Sequence, residues 1–410
     1  MVLNYIWVGF ILVAFVVAVA KLIFLQDYDT IIKVVNSTFG SAKTGFEVSL
    51  ALTGVLALWM GLMKIGENGG MIKLFSRAIY PLFKRLFPEI PKDHPASGSM
   101  LMNISANMLG LDNAATPAGL KAMQELQEIN PDKSKASNSM IMFLVMNASG
   151  LTIVPVSVMA IRAQAGAANP ADVFIPILIA TFVATLVGVL AVCIKQGINI
   201  FDKVILGTFG GIAALIAGVM FLFQNMSTKQ VELASNFGAS FILLTIIVLF
   251  VVSGIRKKIN VYDSFIEGAK DGFAVAVKII PFLIAILVAV GMFRESGAMG
   301  YLLDGLKYGV SALNFDTRWV DAMPTAIMKP LSGSGARGMM VEAIRTFDVD
   351  SFAARLSGVF QGATDTTFYI AAVYFGAVNI KNGRYMIPYA LLADLAGVIA
   401  AIFVAYMFFG

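Results

Sequence analysis

Asp112, Asp365 and Arg337 place charge where a largely apolar chain has least reason to hold it. Asp365 lies inside Gln361-Gly-Ala-Thr-Asp-Thr-Thr367, in the middle of an apolar stretch, with Thr364, Thr366 and Thr367 around it. Hydroxyls and freed carbonyls beside one carboxylate can hold Na+, and the same carboxylate can instead carry a proton. The coupling-ion site expected here is Asp365, Thr364 and Thr367, for Na+ or H+, with no other cofactor. Asp112 opens the turn Asp112-Asn-Ala-Ala-Thr-Pro117. It reads equally as an intramembrane ligand and as the N-cap of a helix beginning near Pro117. Arg337 follows Gly335 at the start of a short helix, within Lys329-Pro-Leu-Ser-Gly-Ser-Gly-Ala-Arg-Gly338. Free N–H groups, the helix dipole and a bidentate guanidinium there favour an anion such as a phosphate or carboxylate. The alternative is that Arg337 reaches lipid headgroups or pairs with Glu342.

Neutral donors and acceptors surround these charges. Asn103, Asn107, Asn113, Asn147 and Ser149 are of the type that binds polar small molecules, and equally of the type that links helices in a membrane. Thr116, Thr152, Ser332, Ser334 and Gln361 complete the expected substrate-binding set. Gly333, Gly335 and Gly338 satisfy the G-x-G-x-x-G spacing of a dinucleotide site, which requires a preceding strand inside a βαβ unit. What precedes them is Ala322-Met-Pro-Thr-Ala-Ile-Met328, with no βαβ alternation anywhere, so that reading is set aside.

The elements that hold these residues must be membrane helices. The chain has 410 residues, 58% hydrophobic and 13% charged, and its mean hydropathy is +0.82. A soluble domain carries about 25% charged residues. The net charge of +5 fits basic cytoplasmic loops better than nucleic acid. One cysteine, Cys193, and one histidine, His94, leave no intramolecular disulfide, no Cys/His zinc site and no His-based triad. His94 reads as part of a solvated turn and Cys193 as inert packing.

About twenty apolar residues cross a bilayer. Nine stretches qualify: 4–25, 46–65, 137–163, 171–195, 203–224, 235–255, 273–293, 355–378 and 385–409. Two are interrupted, by Asn147-Ala-Ser-Gly-Leu-Thr152 with Pro155 and by Gln361–Thr367. Unsatisfied backbone is tolerated in hydrocarbon only where protein or a water-filled cavity covers it, so these breaks point to a site. Met100–Leu111 and Trp319–Leu331 are about half a membrane long, each followed by a polar turn and a second short helix, 118–129 and 336–347. They read as re-entrant hairpins, or alternatively as amphipathic pairs on the membrane surface. Residues 69–87, with Lys73, Arg77, Lys84 and Arg85 among apolar residues, read as an interfacial helix.

The features recur in order. Ala42-Lys-Thr-Gly-Phe-Glu-Val48 matches Ala269-Lys-Asp-Gly-Phe-Ala-Val275, with Gly45 and Gly272 separated by 227 residues (272 − 45). Glu67-Asn-Gly-Gly-Met71 matches Glu295-Ser-Gly-Ala-Met299, and Asn147-Ala-Ser149 matches Gly362-Ala-Thr364. Four crossings per half plus one between them turn the second half over, the inverted-repeat logic of secondary transporters. The expected fold is an all-α polytopic membrane protein built as an inverted repeat of two four-span halves. Each half holds a re-entrant helical hairpin and a broken transmembrane helix, and one extra helix joins them. Basic loops place the N-terminus in the cytoplasm and the C-terminus outside.

Residues 1–195, through Leu58-Trp-Met-Gly61, Met102-Asn-Ile-Ser-Ala-Asn-Met-Leu-Gly110 and Asp112–Pro117, resemble the spore maturation protein A family. Residues 236–410, through Val261-Tyr-Asp-Ser-Phe265, Lys329–Gly335, Gln361-Gly-Ala-Thr-Asp-Thr-Thr-Phe-Tyr369 and Val373-Tyr-Phe-Gly376, resemble the spore maturation protein B family. Residues 196–235 form a connecting segment with one span that matches neither. Both families belong to a nucleoside-recognition, gate-domain group that includes concentrative nucleoside transporters and the channel part of FeoB-type iron transporters. The resemblance implies a multi-pass protein of the bacterial cytoplasmic membrane with a transporter-like core.

The expected activity is movement of a small polar solute, nucleoside-like or anionic, by alternating access. The alternatives are an ion or metal permeation pathway of the gate-domain type and a lipid-handling scaffold. Enzymatic chemistry is not expected, because no nucleophile–base arrangement or metal-ligand cluster is present. Expected partners are a small-molecule solute and membrane lipids, with no nucleic acid. The halves read either as one functional unit or as part of a homo-oligomer.

Overall fold

The computed structural model describes residues 2–108, 112–224, 226 and 228–410. Among them the chain is all-helical, with an isolated parallel bridge, Lys135 to Asn382, and no strand. Helix α1 (Val2–Leu25) ends at a short turn where Asp27 caps α2 (Tyr28–Asn68), accepting from Thr30 N at 3.0 Å and from its hydroxyl at 2.6 Å. The 41 residues of α2 reach about 62 Å at 1.5 Å per residue, twice a hydrocarbon core of about 30 Å. The expected span 46–65 is only its apolar centre. Nothing between Asp27 and Gly69 stops the helix, and Ser37 and Ser49 turn their hydroxyls onto carbonyls of the preceding turn. Gly70, at φ 87°, takes the chain off into α3 (Met71–Leu86), which buries Ile72, Phe83 and Leu86 and exposes its four basic residues, as an interfacial helix should.

The first hairpin is α4 (Pro95–Met108) and α5 (Asp112–Ile129). The second arm therefore starts six residues before Ala118, with Pro117 in its second turn. The first broken helix follows: α6 (Asn138–Ser149), closed by Gly150 at φ 61°, and α7 (Val156–Gln164), which begins behind Pro155. Then come α8 (Phe174–Gln196), α9 (Lys203–Gln224) and α10 (Thr228–Arg256).

The second half opens with α11 (Val261–Glu295), again longer than its expected span 273–293. Gly297, at φ 89°, turns the chain by 70° into α12 (Ala298–Ala312). A 3-10 turn (Arg318–Ala322) leads to the second hairpin, α13 (Met323–Met328) and α14 (Gly333–Phe347). The second broken helix is α15 (Phe352–Ala363) and α16 (Thr367–Ala377), and α17 (Met386–Phe409) is the last span.

Five helices are long and apolar enough to cross a membrane by themselves among the described residues: parts of α1 and α10, with α2, α8 and α17. The bent pair Ile280–Glu295 and Ala298–Ala312 makes a sixth. Stretches 137–163 and 355–378, expected to be interrupted, are each two short helices, and 203–224 is the single helix α9.

The core forms where α6 crosses α8 and α17. Met140–Val145 of α6 are wholly buried, and α8 and α17 approach closely through Gly188 against Ala393 and Gly397 against Ala184. Helices α2 and α11 pack antiparallel along much of their length. Gly45 abuts Ile284, Gly272 abuts Ala57, Gly268 abuts Met60 and Lys64, and Gly291 abuts Ser41. Both hairpins are buried against protein: Met100 and Ala106 of α4, Met123 of α5 and Ala336 and Met340 of α14 are all closed off. Helix α5 leaves Pro117, Lys121, Gln124 and Glu128 exposed along its other side.

Candidate functional site

The two breaks meet. Asp365 N donates to Ala148 O at 2.8 Å, and a Cβ added to Gly150 would lie 2.9 Å from that same nitrogen. Gly150 is thus required twice, for its left-handed backbone and for this close approach. Each break is also tied to a hairpin turn. Ile153 N donates to Met108 O at 2.7 Å in the first half, and Phe368 N donates to Pro330 O at 3.0 Å in the second. Side chains repeat the link: Asn107 Nδ2 donates to Asn147 Oδ1 at 2.7 Å, and Gln361 Nε2 reaches Gly333 O at 3.5 Å. Backbone groups freed by the breaks are paired inside protein, as a hydrocarbon environment demands.

Beside this crossing lies a cavity of about 500 Å3. Of the expected residues it is lined by Asn107, Thr116, Asn147, Thr152, Arg337, Gln361, Thr364 and Asp365. Asp365 is exposed, and its Oδ1 accepts from Thr366 N at 2.7 Å, just before α16, while the carboxylate lines the cavity. The other expected residues are held by their own elements. Asn103 is buried and donates to Ala115 O at 2.8 Å and Tyr374 OH at 3.4 Å, fastening the first hairpin. Ser149 donates to Met146 O. Ser332 caps α14 through Gly335 N at 3.0 Å, with Ser334 beside it at 3.2 Å. Thr366 is buried, and Thr367 donates to Asp394. The side chains of Asp112 and Asn113 lie outside the described residues.

Arg337 is the fifth residue of α14 and lines the cavity. Glu342, its expected alternative partner, pairs with Arg294. Lys329 joins it on the cavity wall, so the second hairpin presents two cations. Lys64, Glu67 and Asp271 line another part, where Lys64 bridges Glu67 and Glu267 at 3.3 Å each. Lys329 stood inside a motif read for its glycines, and Lys64 and Asp271 stood near helix ends; their convergence needed the packing of α2 on α11. Lys64, Lys329 and Arg337 with Glu67, Asp271 and Asp365, and several amides and hydroxyls, suit a small polar molecule. Among the described residues no three Asp, Glu, His or Cys side chains are grouped as a metal site.

His94 Nδ1 accepts from Ala96 N at 3.3 Å at the start of α4, and Cys193 is buried and unbridged.

These features define a multi-pass helical membrane protein in which two broken helices and two hairpins enclose one polar cavity. Residues 49–165 match the Gate family model, described as nucleoside recognition. The chain is 41% identical over 181 residues to spore maturation protein A of Bacillus subtilis (strain 168), covering 44% of this chain and 89% of that protein. It is 44% identical over 157 residues to spore maturation protein B of the same organism, covering 38% of this chain and 86% of that protein. The chain belongs to the spore maturation protein A and B family. No solved structure matches it.

Proposed function

We propose that this protein moves a small polar solute, nucleoside-like or anionic, across the bacterial cytoplasmic membrane by alternating access, with the site at the interface of two inverted repeats. The observation that carries the reading is the meeting of the two breaks, Asp365 N on Ala148 O, beside a polar cavity. Discontinuous helices facing each other near the middle of a bundle are how secondary transporters build a solute site. Internal symmetry supports it. A shift of 227 residues carries the contact Gly45–Ile284 onto Gly272–Ala57, and Ser41–Gly291 onto Gly268–Lys64. The same shift carries the left-handed Gly70 onto Gly297. Each relative is covered almost whole by less than half of this chain, which favours a fusion: residues 1–195 as the A-like half, 196–235 as connector and 236–410 as the B-like half. With an odd crossing between the halves, the N-terminus is cytoplasmic and the C-terminus outside. The name of the matched family model favours a nucleoside-like solute, and the Lys329–Arg337 wall favours a phosphate or carboxylate on it.

The test is uptake into proteoliposomes of a panel of labelled nucleosides and nucleoside monophosphates. Wild-type protein should accumulate at least one of them, with Asp365→Asn and Arg337→Ala reducing the rate at least tenfold, about 1.4 kcal/mol of lost interaction. Wild-type rates in both variants would show that the site lies elsewhere.

A further inference from the structure

Asp394 is a second acid of this centre. It lies on α17 in the apolar run Ala390-Leu-Leu-Ala-Asp-Leu-Ala-Gly397 and is only 4% exposed. Its Oδ2 accepts from Thr367 Oγ1, the first residue of α16, at 2.7 Å. Its Oδ1 is buried with no hydrogen-bond partner. One turn further along α17, Gly397 lies against the Thr364 methyl group, so the carboxyl faces the extended Thr364–Thr366 step at which the second helix is broken. An anion with one bare oxygen is costly inside protein and more so in a spanning helix, and a neutral carboxylic acid costs far less.

Few other charges face it. Lys329, at the end of the second hairpin's first arm, and Asp365, at the break, both act on Asp394 electrostatically. Helix α6 carries no ionisable side chain between Asn138 and Ser149, and α8 carries none between Phe174 and Val192. Helices α15 and α16 bring Arg355, Tyr369 and Tyr374, and the charges of α10 lie towards its ends at Lys229, Glu232 and Arg256. A Na+ here would sit in the field of the Lys329 ammonium.

We infer that Asp394, rather than Asp365, is the proton-carrying group of this centre. It holds a proton while the second break packs on α17 and gives it up when that packing opens. Thr367 reads the charge state, because its hydroxyl bridges the carboxyl to the first turn of α16. The link between proton release and solute movement rests on the transport reading above; the protonation itself does not.

Infrared spectroscopy of the protein in lipid nanodiscs tests it directly, since a protonated carboxyl has a carbonyl band that a carboxylate lacks. Wild-type protein should show that band and lose it as the pH is raised. Asp365→Asn should keep the band, and Thr367→Val should shift it by removing its hydrogen-bond donor. Asp394→Asn should abolish it. Absence of the band in the wild type, or its persistence in Asp394→Asn, would overturn the proposal. Should Asp394→Asn fail to fold, the wild-type, Asp365→Asn and Thr367→Val spectra still decide. A pH gradient imposed on proteoliposomes separates the two readings. The band with no uptake of any nucleoside tested leaves the proton site standing and removes the transport reading. Uptake that ignores the gradient in the wild type overturns the role of Asp394 in coupling.

Discussion

Asp365 and Asp394 receive opposite surroundings from one helix break. The Asp365 carboxylate is open to the cavity and accepts from Thr366 N, whereas Asp394 is sealed behind Thr367. Asp365→Asn keeps an acceptor for the Thr366 amide, so unfolding stability should change by less than about 1 kcal/mol while solute uptake falls. Parallel melting and uptake measurements on the one variant check this, and loss of both together would make Asp365 a structural residue. The signal that singled out Asp365, charge amid apolar residues with hydroxyls beside it, was present only in part at Asp394, which has purely aliphatic sequence neighbours. Its hydroxyl partner comes from 27 residues away, and sequence spacing does not report that. Asn103 and Ser332 are of types that suit a ligand, and in the structure Asn103 Nδ2 donates to Ala115 O and Ser332 Oγ accepts from Gly335 N.

At the scale of elements, apolar runs located the helices but not their ends. Helix α2 extends from a span of twenty residues to 41 because Asp27 caps it early and no stop signal intervenes. Its packing on α11 depends on glycine where one backbone must approach another. A Cβ on Gly268 would lie 2.3 Å from Met60 O, a clash with backbone rather than with a flexible side-chain tip. Gly268→Val should therefore destabilise the protein by about 1–3 kcal/mol or more, with α2 and α11 forced apart. Gly207→Ala on α9 is the control, because nothing lies within 4 Å of its added Cβ. It should be neutral or stabilising by up to about 1 kcal/mol. Thermal unfolding in detergent of both variants would test the contrast, and equal melting temperatures would mean that the α2–α11 contact is loose. The hairpins and breaks were legible from their polar interruptions alone, since hydrocarbon penalises such residues unless they are covered.

At the scale of the molecule, two loop junctions tie distant parts of the chain together with different chemistry. Where the loop before α6 meets the loop between α16 and α17, the join is backbone: Ala136 N to Asn382 O at 2.9 Å, with exposed Arg384 reaching Ala136 O at 3.1 Å. Where the loop before α15 meets the loop between α7 and α8, it is a buried ion cluster. Arg162, with no exposed surface, pairs with Asp172 at 2.9 Å and Asp350 at 3.0 Å and donates to Val349 O at 2.8 Å. Arg355 holds the far side of Asp172 at 2.7 Å. Arg162→Met would leave Asp172, itself nearly buried, with one cation instead of two, at a cost of about 3–5 kcal/mol. Arg384→Ala, at an exposed position, should cost no more than about 1 kcal/mol. The double variant Arg162→Met with Asp172→Leu should recover much of the loss, because the uncompensated charge goes with its partner. Denaturation of the three variants decides the matter. If Arg162→Met costs no more than Arg384→Ala, the cluster does not hold the halves together, and the closure of that end must rest on the apolar packing of α7 and α15 instead.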